Sequence, residues 1–147
     1  MRFMMLMIPK VYQPGTPSAE KAGEGFAPPA DAVEKMTRYN EELAKAGVLI
    51  ALDGLHPQAK GARVAFTGGK PYVTDGPFTE AKEVLGGYWM INVKSKDEAV
   101  AWARRIPAAD GDVVEVRQVF EMEDFPEDVR KAADNPEVNA QLAKQKN

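Results

Sequence analysis

No cysteine occurs in this chain of 147 residues. Disulfides, thiol nucleophiles and thiolate metal sites are thereby excluded, and the composition suits a reducing compartment such as the cytoplasm. Histidine is nearly as scarce. His56 stands alone, so metal sites built on histidine or cysteine lack ligands and no metal is expected. The serines are Ser18 and Ser95, and Ser95 is engaged as a helix cap, which argues against a Ser–His triad. Gly68-Gly69-Lys70 lacks the spacing of a phosphate-binding loop, and no dinucleotide fingerprint occurs. No basic stripe runs through a sequence of net charge −3, so nucleic acid is not an expected partner. Long apolar runs are missing as well. The stretch Phe3–Ile8 is followed by Pro9-Lys10 rather than a small-residue cleavage site, and no run approaches the ~18 residues of a membrane span. A cytoplasmic protein without membrane contact is expected. Acid–base work by Asp, Glu, His or Tyr without a cofactor remains open, as does simple binding.

The length predicts one domain that can bury a core without covalent staples. Residues 2–8 read as a strand that is apolar at successive positions, hence covered on both faces. Residues 9–30 form a long loop rich in proline and glycine, of the kind that is functional or mobile. A helix is predicted over 32–46, with Asp31 as its N-cap, Ala32, Met36, Tyr39, Leu43 and Ala46 on one face, and Gly47 as its stop. Strands follow over 48–52 and 84–93, with a hairpin around Gly68-Gly69 between them. Gly86-Gly87 marks a bulge or a close backbone approach. Ser95-Lys96-Asp97-Glu98 opens a second helix that turns Ala99, Trp102, Ala103 and Ile106 inward. A last strand alternates over 113–122, and two short helices are predicted in a tail over 123–147.

This order predicts an α+β chain: a ferredoxin-like βαββαβ domain over 1–122 with an inserted hairpin, and an appended helical tail. Two helices cover one sheet face. The second face is apolar too and needs a cover, which a second copy of the chain supplies in a two-fold homodimer. The tail is the alternative cover.

The densest specification lies in Asp75-Gly76-Pro77-Phe78 and the residues around it. Asp75 is the leading candidate for a catalytic or ligand-gripping carboxylate, held on a turn that Pro77 stiffens. The competing role is an Asx-turn that holds the loop. His56 is the second catalytic candidate, since a lone imidazole can shuttle protons near neutral pH; a surface loop side chain is the plainer alternative. Gly76, Pro77, Phe78, Lys82 and Arg117 are the candidates for ligand binding. For Arg117 the alternative is cross-strand pairing with Glu115, and for Lys82 a solvated charged edge.

The run Val73-Thr74-Asp75-Gly76-Pro77-Phe78-Thr79-Glu80-Ala81-Lys82-Glu83-Val84-Leu85-Gly86-Gly87-Tyr88 resembles the signature of the YCII-related, or DGPF-domain, proteins. Ala46-Gly47-Val48-Leu49, Leu55-His56-Pro57, Ser95-Lys96-Asp97-Glu98-Ala99 and Glu115-Val116-Arg117 fit the same resemblance, which covers roughly residues 1–121. It implies the dimeric α/β-barrel type of ferredoxin-like fold in small bacterial cytoplasmic proteins of mostly unassigned activity. It also implies, for related members, a His–Asp pair with the His on the first helix. Met36 occupies that helix position here, and Asp75 alone stands for the acidic member. Three functions are therefore carried forward: binding of a small polar molecule in a cleft beside the turn, cofactor-free acid–base catalysis by Asp75 with His56, and a protein-interaction module using the tail.

Overall fold

The computed structural model describes residues 1–78 and 83–145. Among them the elements run β1 (Arg2–Ile8), α1 (Ala30–Lys45), β2 (Leu49–Gly54), β3 (Ala62–Thr67), β4 (Lys70–Asp75), β5 (Gly87–Asn92), α2 (Lys96–Ala103), β6 (Val113–Gln118), α3 (Glu127–Ala133) and α4 (Pro136–Gln145). The result is an α+β chain with one antiparallel four-stranded sheet, ordered β2-β5-β1-β6, and a separate ribbon of β3 and β4. Among the described residues the four-stranded sheet stays open rather than closing into a barrel.

β1 is central because its apolar side chains are needed on both faces. Its register sets Phe3 opposite Ile91, and Met5 opposite both Trp89 and Val116. Paired residues share a face, so these side chains form one apolar layer. α1 lowers Tyr39 and Leu43 onto it, and α2 adds Ala99. Phe3, Met5, Leu43 and Ile91 lose essentially all contact with solvent, each contributing roughly 1.5–3 kcal/mol. The Tyr39 ring stands edge-on to Trp89 at 6.0 Å, and its hydroxyl donates to the Trp102 carbonyl at 2.9 Å. Burial raises the Tyr39 pKa well above the ordinary phenol value.

Element ends differ from the sequence expectations in instructive ways. α1 starts two residues early, with Pro29 rather than Asp31 as N-cap. Pro29 is extended at φ −59° and ψ 149°, and its carbonyl accepts from Val33 N at 3.1 Å. Asp31 instead lies in the first turn, where its charge favours the helix dipole. Gly47 does stop the helix, at φ 69°. At α2 the Ser95 hydroxyl accepts from Glu98 N as expected, but Glu98 reaches back to Lys94 N at 2.8 Å. β6 ends at Gln118, short of the expected Met122. There the Asp124 carboxylate accepts from Glu121 N at 2.7 Å, closing a turn that competes with the strand. Arg2 grips Glu121 beside that turn, with Nε to Oε1 at 2.9 Å.

The face of the sheet turned away from the core carries Met4, Leu6 and Met90, all half-buried. Ile50 is exposed at the strand edge, where a register shift interrupts the β2–β5 pairing. α3 and α4 bury no side chain of their own. Every residue of β3 and β4 is exposed. Their turn needs left-handed backbone twice in succession, at Gly68 (φ 60°) and Gly69 (φ 76°), which suits a two-residue hairpin. No helix among the described residues is long and apolar enough to cross a membrane.

Candidate functional site

The ends of β1 and β2 and the first turns of α1 converge on Gly86, just ahead of β5. The Gly86 amide donates to the Met7 carbonyl at 2.8 Å, and its carbonyl accepts from Leu55 N at 2.9 Å. A side chain here would collide with Pro9, whose Cγ lies 2.5 Å from the position of a Cβ. At Gly87 a Cβ would fall 2.8 Å from the Asp53 carbonyl oxygen. The glycine pair therefore serves close backbone approach, while the irregularity in register lies in β2.

Residues 9–29 arch over this junction and are tied down at several points. The Tyr12 hydroxyl donates to the Leu55 carbonyl at 2.8 Å, and Phe26 stands edge-on to the Tyr12 ring at 5.8 Å. Burial raises the Tyr12 pKa and keeps the phenol neutral. Gln13 treats Val84 as a neighbouring strand would. Its side-chain oxygen accepts from Val84 N at 3.0 Å, and its Nε2 donates to the Val84 carbonyl at 3.0 Å. Thr16 is buried, and its hydroxyl donates to the Lys10 carbonyl.

Beneath the arch is a cavity of about 620 Å³, within the range of small-molecule sites. Met7, Val11, Tyr12, Phe26, Met36 and Leu55 give it a largely apolar wall. Besides Tyr12, its ionisable groups are His56 and Asp112. Both Asp112 oxygens are occupied, one by Lys10 N at 2.8 Å and the other by Ala109 N at 2.8 Å. His56, two residues beyond the end of β2, is exposed and lines the cavity. Tyr12 is shared with a smaller cavity of about 270 Å³ that Gln58, Pro77 and Phe78 help to line.

The predicted site residues thus divide. His56 lines the larger cavity, and Pro77 and Phe78 line the smaller one. Gly76 braces the turn: its amide donates to the Gly61 carbonyl at 2.8 Å, and a Cβ there would sit 1.8 Å from the Gln58 carbonyl oxygen. Phe78 lies under the Arg63 guanidinium, 4.3 Å from the ring centre. Asp75 is exposed at the root of the β3–β4 ribbon, opposite Ala62, and lines neither cavity. Arg117 pairs with Met4 on the sheet face away from the core, also outside both cavities. Lys82 lies outside the described residues. Met36, on the helix position where the resemblance implies a His, faces the larger cavity. Among the described residues no cluster of three potential metal ligands occurs.

Sequence reasoning missed three contributors. Tyr12 sits in a proline-rich loop whose path no periodicity reveals. Asp112 belongs to Asp110-Gly111-Asp112, which reads as an ordinary turn. The third is a cross-strand pair: Tyr88 Oη donates to Asp53 Oδ2 at 2.7 Å. That hydrogen bond raises the Tyr88 pKa above its ordinary value, with burial and the carboxylate charge acting in the same direction. Asp53 and Tyr88 border a further cavity of about 260 Å³, which shares Met7, Met36, Gly54 and Gly86 with the larger one.

Residues 1–123 match the family model of the YCII-related domain. A protein of Rhizobium meliloti (strain 1021), described only as uncharacterized, is 34% identical over 74 residues. That match takes in 50% of this chain and 60% of the relative's length.

Proposed function

Because the chain belongs to the YCII-related domain family, we propose that it works as a bacterial, cytoplasmic homodimer that binds a small molecule under the 9–29 arch. The ferredoxin-like fold of the dimeric α/β-barrel type is part of this reading. It is supported by the strand order β2-β5-β1-β6 and by the apolar side chains on the uncovered sheet face. The family domain ends near residue 122 in this reading, and α3 and α4 are an appended tail.

One observation carries the binding reading: a cavity of about 620 Å³ whose wall is apolar except at a few points. Its fitting occupant has an apolar body and one polar group that meets the His56 imidazole. That moves the expected ligand away from a wholly polar molecule beside Asp75. A thermal-shift screen with small aromatic and aliphatic carboxylates, amides and alcohols tests it. A compound at 100-fold excess over its Kd should add ~2.7 kcal/mol of stability. Met36→Trp fills the cavity and should abolish the gain, whereas Asp75→Ala should leave it. The reverse pattern would return the site to the turn, and no binder at all would remove the reading.

A second reading is favoured by His56 itself, an imidazole at the edge of an apolar wall. Cofactor-free proton transfer there would use His56 as its acid or base. His56→Gln should then lose turnover while retaining binding, and equal turnover would eliminate it.

A further inference from the structure

The β3–β4 ribbon is amphipathic, and its apolar side is wet. Register pairs Val64 with Val73 and Phe66 with Pro71, so these four residues share one face. Arg63, Ala65, Thr67, Lys70, Tyr72 and Thr74 take the other. Phe66 is 77% exposed, Val73 69% and Val64 52%. Val64, Phe66, Pro71 and Val73 set against Arg63, Thr67, Lys70 and Thr74 is the pattern of a face that is covered, with the Ala62–Asp75 pair at its root end. A two-stranded ribbon alone is marginal in water, so a cover is also required for the ribbon to persist.

We propose that this ribbon is an arm that lays its apolar face on a second copy of the chain. The inference rests on the homodimer proposed above and adds the element that holds it. Area points to a second copy. Four strands of six or seven residues present a sheet footprint of roughly 400 Å², about half of the ~800 Å² per partner in a standard interface. Giving one arm and receiving the other adds roughly 200 Å² twice, which brings each copy close to that standard. Charge agrees. Arg63 and Lys70 in the arm, with Lys60 just ahead of β3, outnumber Asp75, the arm's single carboxylate, while the whole chain carries −3. A basic arm therefore meets an acidic body when two copies associate. Because the arm continues into Gly76-Pro77-Phe78, its docking is directly connected to the wall of the smaller cavity.

The absence of native cysteine makes a clean test. Sedimentation velocity over a dilution series should give a dimer for the unmodified chain. Phe66→Ser/Val73→Ser should weaken association about 100-fold or more, with unchanged tryptophan fluorescence of the core, since both side chains are exposed and lie outside it. The thiol of Phe66→Cys should be protected from maleimide at concentrations where the dimer forms and react freely on dilution. A dimer that keeps its affinity in the double variant and leaves that thiol reactive overturns the arm while sparing the homodimer. A monomer at every concentration overturns both.

Discussion

The hydroxyl of Tyr88 and the carboxylate of Asp53 lie 2.7 Å apart on adjacent strands, and they stand directly opposite each other in the β2–β5 register. The pair favours the neutral phenol in the folded chain. Hydrogen bonding to a carboxylate, burial and the nearby negative charge all oppose ionisation.

Tyr88 should therefore ionise above the ordinary phenol range in the folded protein. The sign follows from a raised folded pKa: the contribution is fully present below about pH 10, the unfolded value, and is lost as pH rises through the folded one. Absorbance titration at the tyrosinate band, with Tyr88→Phe as the blank, measures it. Asp53→Asn should bring the transition down. An unchanged midpoint in that variant would mean that the carboxylate has no influence on the phenol.

Gly76→Ala and Gly86→Ala should both destabilise the fold, for different reasons. At Gly76 the added methyl meets backbone, the Gln58 carbonyl carbon and oxygen, which cannot yield without rebuilding the turn. At Gly86 it meets the Pro9 ring, which can give way at the expense of the arch. Gly76→Ala should lose about 2 kcal/mol or more in chemical denaturation, and Gly86→Ala about 1–2 kcal/mol. Only Gly86→Ala should also alter binding in the larger cavity. Wild-type stability in Gly76→Ala would show that the turn is not braced against Gln58.

Leu43→Ala should cost about 3 kcal/mol, because Leu43 is wholly buried among the core side chains and leaves a void. Tyr39→Phe should cost about 1–2 kcal/mol by depriving the Trp102 carbonyl of its donor. Urea unfolding gives both, with tryptophan fluorescence as the probe. A larger loss for Tyr39→Phe than for Leu43→Ala would reverse the assigned order of packing over hydrogen bonding.

Patterns carried by neighbouring residues were readable from the chain. Tyr39 and Leu43 fall one helical turn apart and meet the sheet together. Gly68-Gly69 forms the expected turn between β3 and β4, and Ser95 caps α2. The site was less legible because it is made of long-range meetings. Tyr12 reaches Leu55, Gln13 reaches Val84, and Lys10 reaches Asp112 across a loop without periodicity. Asp75 stands beside Gly76-Pro77, but turn chemistry is local and does not say which way a carboxylate faces. The YCII resemblance, by contrast, was carried by a contiguous run, and the family match covers residues 1–123.

Gln13 has one more consequence. By standing in for a missing backbone neighbour at Val84, a single carboxamide rivets the vault to the threshold of β5. Loop and strand entrance thus share one fastening of two hydrogen bonds, and replacing that carboxamide would sever both at once.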